Sequence, residues 1–344
     1  MSRSARKTLS WIVFLVVLHA VVLAAGFFAP CDPLQQDRDR PYAPPMKLHF
    51  VDASGKLHFR PFVYLQRVKE GSFDLYEDDH AATVSITLLV KGTPYRLLGL
   101  IPGKFHLLGI NDASLNLLGT DGYGRDLFSR ILYGGQISLF AGILAAFITL
   151  LIGSLLGGVS GYFGGWADAI LMRFAELCLA LPWLYLLFGV RAFLPLLLNP
   201  LHAFLIIVVA IGALGWARPA RLVRGFALSA KERDFVRAAK GFGASHFYIL
   251  RRHILPQTRS VILTQAAILI PQYVLAEVTL SFLGLGIPEP APSWGNLLSS
   301  LQQYSVLSSY WWMYLPALAM VPFFIGYLGL SSSLQEKWLP AKID

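Results

Sequence analysis

Residues 137–160 read ISLFAGILAAFITLLIGSLLGGVS, a run of apolar and small residues without a single charge. A helix must present about 20 apolar residues to cross about 30 Å of hydrocarbon, because unpaired backbone groups cannot be left in lipid. This run meets that demand. Gly153, Gly157 and Gly161 recur every fourth residue and share one helix face, the spacing for close helix–helix contact. Working outward, five further stretches approach the same length: 11–29, 169–189, 201–217, 261–283 and 311–331. Pro182, Pro271, Pro316 and Pro322 lie inside them. Such prolines break soluble helices but are tolerated in membrane bundles, where neighbours re-satisfy the freed carbonyls. The expectation is an all-α polytopic membrane protein with six transmembrane helices.

Composition agrees. Of 344 residues 55% are hydrophobic and 14% charged, with mean hydropathy +0.56, whereas soluble domains carry about 25% charged residues. The first apolar run, 11–29, follows Arg3, Arg6 and Lys7 and is longer than the roughly 7–15 residues of a signal-peptide core. It reads as a retained helix with a cytoplasmic N-terminus. Cys31 and Cys178 are far apart and form no disulfide framework or zinc spacing.

Orientation follows from the basic residues. Between Arg218 and Arg259, ten lysines and arginines face only Glu232 and Asp234, leaving +8 of the formal +9. With six spans this loop, 218–258, lies between the fourth and fifth and is cytoplasmic. The C-terminal tail with Lys337 and Lys342 is cytoplasmic too. A basic loop beside an anionic leaflet is explained by membrane lipid and needs no nucleic acid.

Three domains are expected: 1–29, the cytoplasmic N-terminus and first helix; 30–117, a small β-rich external insertion; and 118–344, the core with the remaining five helices. In the insertion, Asp52-Ala53-Ser54-Gly55 between two alternating runs signals a hairpin. It would pair Phe50 with Leu57 and Leu48 with Phe59 and set His49 opposite His58. Residues 84–90 alternate as a further strand. Two histidines supply too few ligands for a metal site, and none is expected.

The basic loop contains Arg237-Ala238-Ala239-Lys240-Gly241-Phe242-Gly243 and, nine residues on, His253-Ile254-Leu255-Pro256. Ala238 and Ala239 favour a helix that leaves room for a partner, Gly243 permits a left-handed turn, and Pro256 marks the return towards the membrane. The stretch resembles the E-A-A-x3-G-x9-I-x-L-P loop of ABC importer permeases, with Arg237 in place of the glutamate and His253 in place of the isoleucine. Leu118-Gly119-Thr120-Asp121-Gly122-Tyr123-Gly124-Arg125-Asp126-Leu127-Phe128-Ser129-Arg130 is similar to the signature of the dipeptide/oligopeptide/nickel branch of that family. By itself it reads as a turn and an amphipathic interfacial helix, with Leu127, Phe128, Ile131 and Leu132 apolar and Arg125, Ser129 and Arg130 on the polar side. A third stretch, Ala276-Glu277-Val278-Thr279-Leu280-Ser281-Phe282-Leu283-Gly284-Leu285-Gly286, followed by Pro292-Ser293-Trp294-Gly295, resembles the same branch. There Ser293 caps a short helix whose Trp294, Leu297, Leu298 and Leu301 form one stripe.

The resemblance implies the type I ABC importer permease fold and a permease subunit in a prokaryotic plasma (inner) membrane. Its implied partners are a second permease subunit, cytoplasmic ABC ATPase subunits docked on Arg237, Ala238, Ala239, Gly243, Leu255 and Pro256, and an external solute-binding protein. It implies alternating access of a peptide-like or similar small solute, with no cofactor on this chain and ATP and Mg on the ATPase partners. A phosphate loop is missing; the nearest run, Gly99 to Lys104, has the wrong spacing. The rival is an ion-coupled carrier or channel, which would need inverted repeats or several intramembrane acids. Glu277 is the acid of interest in the fifth span: it either lines the translocation path or accepts hydrogen bonds from a neighbouring helix. Arg173 and Glu176, three apart in the third span, offset each other.

Overall fold

The computed structural model describes residues 3–69, 71, 75–97, 99–110, 113–193 and 199–338. Among them, five helical runs are long and apolar enough to cross a membrane, and a bent helix pair makes a sixth. The first apolar stretch forms α1 (Arg3–Leu23) and, after Ala24, one further turn, α2 (Ala25–Phe28). The second span lies in α3 (Leu127–Phe163), 37 residues long. It is roughly 55 Å at 1.5 Å per residue and so outreaches the hydrocarbon. Gly164 and Gly165 then take φ of +66° and +54°, a left-handed region that a Cβ opposes. This lets the chain turn directly into α4 (Gly165–Ala180).

The third span is not the single helix expected over 169–189. It breaks at Leu181–Pro182, and α5 (Trp183–Phe193) leaves α4 at 87°. Pro182 has no N–H to continue the ladder and pushes its predecessor into extended geometry; Leu181 has φ −83° and ψ 135°. Pro271 and Pro322 sit inside α10 (Arg259–Phe282) and α13 (Leu315–Trp338) without ending either helix. Pro316 lies in the first turn of α13, where no N–H is required. The fourth span is longer than the 201–217 expected. Asn199 caps α6 (Pro200–Leu214), accepting the Leu201 N–H at 2.9 Å. The apolar helical run continues through α7 (Ala217–Lys231). Next come α8 (Asp234–Gly241), α9 (His246–Ile249) and a π and a 3-10 turn leading into α10. The short helices α11 (Trp294–Ser299) and α12 (Tyr304–Ser309) precede α13. Ser293 caps α11 in a reciprocal box with Asn296, and Trp294, Leu297 and Leu298 are buried as their spacing predicts.

The glycine row of α3 finds its partner in α7. A Cβ on Gly153 would lie 3.0 Å from the Trp216 carbonyl oxygen, and one on Gly161 2.6 Å from that of Arg224. One on Gly157 would overlap the Ala220 carbonyl. Positions 153, 157 and 161 thus meet 216, 220 and 224, one turn apart on each helix, with the two backbones touching. Ala175, Trp216, Ala217 and Ala220 fill the adjoining core.

The chain divides into two compact units. One takes the described residues of Met1–Leu15, Leu139–Thr279 and Phe323–Asp344; the other comprises Val16–Ser138 and Leu280–Pro322. The second unit holds the β insertion. Strands β1 (His49–Val51), β2 (Leu57–Val68) and β3 (Tyr76–Ser85) form one antiparallel sheet, and β4 (Thr87–Leu97) and β5 (Ile101–Gly109) a second. The hairpin forms with a different register. Leu57 pairs with Val51 rather than Phe50, and after a bulge His49 faces Phe62 rather than His58. His58 instead bonds the Asp52 carboxylate at 2.8 Å, and Asp52 also accepts the Ser54 and Lys56 amides, closing the turn. The strand expected over 84–90 is divided. Ser85 ends β3, Thr87 begins β4, and Ile86 drops into the core with Met46, Val63, Ile110 and Leu115.

Gly157→Leu is expected to destabilise the chain by about 1–3 kcal/mol through overpacking. Gly225→Ala, on α7 across the seam with open space around it, should hold or gain stability, up to about 1 kcal/mol. Thermal unfolding of the detergent-solubilised protein separates the two.

Candidate functional site

Two constructions carry the candidate functional residues. The first is the segment 234–256. Helix α8 ends in a left-handed C-terminal motif: Gly243 has φ +78° and bonds the Lys240 carbonyl, while the Ala244 N–H reaches Ala239, both at 3.0 Å. Ser245 then caps α9, accepting the Tyr248 amide at 3.2 Å. Val236, Ile249 and Ile254 are fully buried against Tyr162, Ala227 and Ala230. The Tyr162 hydroxyl is 2.8 Å from His246 Nδ1, and Lys240 stands 5.2 Å over the Tyr162 ring. The inner side is therefore locked down. The outer side is bare: Phe242 is 92% and Phe247 71% exposed, while the less exposed Phe235 and Tyr248 both pack on the His253 ring.

The predicted residues of this segment fall on both sides. Arg237 and Ala238 are exposed, and Arg237 pairs with Glu232 at 3.0 Å. Ala239 is half-buried beneath them. Leu255 and Pro256 are half-buried in the 3-10 turn, which follows a π turn over Leu250–Ile254. The wide turn precedes a proline that lacks its own N–H. An ion pair ties the start of α4 to α7. Arg224 Nε and Nη2 donate to the two Asp168 oxygens at 2.5 and 2.6 Å, and Ser160 Oγ also bonds Asp168.

The second construction is the turn before α3. Gly119 and Gly124 have φ of +80° and +72°, and side chains there would strike the backbone at Ala43 and Asp37. Thr120 Oγ1 donates to the Arg40 carbonyl and accepts the Ala43 amide, each at 2.7 Å. Asp121 Oδ2 accepts Arg125 Nε at 2.7 Å and lies 3.3 Å from Arg130 Nε. Arg125 Nη1 donates to Glu289 Oε2 at 2.7 Å, and Arg130 Nη2 donates to both Glu289 oxygens at 3.1 Å. Two acids thus neutralise two arginines whose side chains are 4% and 0% exposed. Asp126 caps α3, accepting the Ser129 amide at 2.8 Å. Burial pushes its carboxyl up to about 7, and burial, with Asp126 nearby, pushes the Cys31 thiol up to about 12.

This corrects the interfacial-helix reading. Arg125, Ser129 and Arg130 do not face headgroups; they are buried, as are Leu127, Ile131 and Leu132 on the other side. The helix is also the first turns of α3 itself rather than a separate element. Glu277, on α10, is 2% exposed. Arg173 and Glu176 pair at 3.2 Å on an exposed face. Among the described residues no group of three His, Cys, Asp or Glu is placed to hold a metal.

The family model for the binding-protein-dependent transport system inner membrane component matches residues 150–340. The chain belongs to this family. It is similar to the dipeptide transport system permease protein DppC of Bacillus subtilis, 42% identical over 224 residues, covering 64% of this chain and 68% of that protein. It is also similar to the oligopeptide transport system permease protein OppC of Haemophilus influenzae, 39% identical over 222 residues, covering 62% and 67%. A third relative is the probable D,D-dipeptide transport system permease protein DdpC of Escherichia coli, 39% identical over 210 residues, covering 61% and 68%.

The protein is thus a multi-pass permease subunit of an ABC importer, and the carrier or channel reading finds no support. Sequence reasoning missed two residues of this permease's framework. Glu289 lies 159 residues from Arg130 and carries no local signal. Arg224 reads in the sequence only as one positive charge of the basic loop, although Asp168, at the start of the third-span helix α4, is an available counter-charge.

Replacing Arg130 by Met should cost about 3–5 kcal/mol, because it leaves Asp121 and Glu289 to share Arg125 and their buried cluster no longer neutral. Glu289→Gln should cost less, since that side chain is 43% exposed. Unfolding midpoints of the two variants rank them. The raised Asp126 carboxyl binds its proton in the folded state between about pH 4 and about pH 7, where the unfolded state has released it. Its contribution to stability is therefore full below that window, falls as pH rises through it and is flat above. Asp126→Asn should keep the cap and remove this slope, as read from unfolding across that range.

Proposed function

We propose that this permease moves short peptides or closely similar solutes by alternating access, powered by ATPase subunits that dock on segment 234–256. One observation carries the reading: the segment is anchored to the bundle through Val236, Ile249 and Ile254 while Phe242 and Phe247 project bare from its other side. A membrane-protein loop gains nothing from aromatics in water, and exposed apolar side chains on a rigid support are what a partner's cleft takes up. The relatives' names supply the peptide part, since they describe dipeptide and oligopeptide systems.

In this reading ATP and Mg bind the ATPase subunits, not this chain. The N- and C-termini and the basic loop are cytoplasmic, as the concentration of lysine and arginine between Arg218 and Arg259 supports. A second permease subunit completes the path, an external solute-binding protein delivers the solute, and the insertion 30–117 helps seat that protein. Displacement of α8 reaches the spans through rigid links. Tyr162 and His246 join the segment to the end of α3, and Arg224 and Asp168 join α7 to α4.

Phe242→Asp together with Phe247→Asp should lower recovery of the ATPase subunits with the affinity-tagged chain at least about tenfold, the loss of two anchoring aromatics. Both residues are bare in the chain itself, so its unfolding midpoint should stay unchanged. Undiminished recovery would remove the segment from the docking surface.

A further inference from the structure

The unit that contains residues 139–279 holds two cavities with a common wall. One of about 560 Å³ lies at the break in the third span, between Pro182 and Trp183, the end of α6 at Ile211 and Gly215, and Tyr273 of α10. The other, about 620 Å³, runs on along α7 and α10 past Arg221 and Gln265. Leu179, Arg218, Leu269 and Gln272 line both, so together they form one trough.

The chemistry of that trough is one-sided. Its walls are largely apolar, its charged groups are the guanidiniums of Arg218 and Arg221, and among the described residues no acid lines it. Gln265 and Gln272 add two amides. Arg218 and Arg221 are three apart on α7, and the glutamines seven apart on α10, so each pair points along one helix face. Among the described residues, none of these four side chains has an ion pair or hydrogen bond. One turn further along α7, Arg224 is consumed by Asp168, and the Tyr273 hydroxyl is consumed by Thr149 at 2.9 Å. Arg224 and Tyr273 are thus paired, whereas the guanidiniums and carboxamides of the trough are left open. Gln272 lies 13 residues beyond Arg259, roughly 20 Å along α10, well inside the span. Polar groups at such depth carry a cost unless they face a wet cavity or a passing solute.

Two cations, two amides and apolar walls match a carboxylate attached to an amide backbone. Arginine clamps a carboxylate with paired N–H donors, and carboxamides bond peptide N–H and C=O groups. The same set repels a bare divalent cation, which needs oxygen or imidazole ligands. We propose that Arg218, with Arg221, Gln265 and Gln272, is this chain's share of a solute-binding surface that takes the terminal carboxylate and amides of a short peptide in transit. This rests on the importer reading above and narrows its solute to amide-bearing acids.

The test uses the whole importer in proteoliposomes, with radiolabelled tri-alanine as probe and p-benzoylphenylalanine at Leu179, in the shared wall, or at Leu263, an exposed residue of α10 outside the trough. Illumination during ATP-driven uptake should label the chain at position 179 and leave 263 at background. Arg218→Gln should cut the label at 179 about tenfold, the loss of one charge-assisted contact. Arg218→Lys should restore most of it, which a merely misfolded variant would not show, and Gln272→Leu should give a smaller drop. Equal labelling at 179 and 263, or labelling indifferent to Arg218→Gln, overturns the assignment while leaving the importer reading intact. If the parent proteoliposomes accumulate no tri-alanine, the importer reading of a peptide solute falls, and this assignment with it.

Discussion

The contact between the glycine row of α3 and the backbone of α7 is the constraint on which the first unit's arrangement depends. Lipid tails are as apolar as leucine, so helices in a bilayer gain little from burying hydrophobic surface against one another and rely on shape. Removing the Cβ at 153, 157 and 161 lets carbonyls 216, 220 and 224 approach to contact distance. That contact places Arg224 against Asp168 at the head of the broken third span, and sets Tyr162 against segment 234–256. A close-packed joint transmits displacement instead of absorbing it.

Charges follow a second logic. Where they are structural they are matched to neutrality: Asp121 and Glu289 against Arg125 and Arg130, Asp168 against Arg224. Such clusters add little net stability compared with an apolar core, yet they penalise any arrangement that separates their members. In the second unit the cluster therefore ties the turn at 119–126 to the loop around Glu289 and to the chain at Pro33. Arg218 and Arg221 break the pattern because among the described residues no acid lines the trough with them.

Much of this was legible without coordinates. The hydrocarbon thickness sets the length of each apolar run, the four-residue glycine spacing announces a contact, and Ser293 with Asn296 announces a cap. The branch signature was visible as a string, but its physical role was not. A polar helix face looks the same whether it meets headgroups or a distant counter-charge, and Glu289 stands 164 residues from Arg125. The hairpin was visible and its register was not: Leu57 pairs with Val51 instead of Phe50, and an irregularity between Val51 and His49 then sets His49 against Phe62.

What the sequence by itself determined is the membrane-spanning architecture, the concentration of basic charge in one loop and the turn chemistry of Gly243. These follow from short-range rules: an unpaired backbone group cannot sit in lipid, and a Cβ opposes positive φ. The tertiary structure alone decided which prolines break their helices, that both sides of the signature are buried and which arginines are left unpaired. Pro182 ends a helix while Pro271 and Pro322 do not. The cost of a missing hydrogen bond or an uncompensated charge depends on what packs beside it, and those neighbours come from elsewhere in the chain.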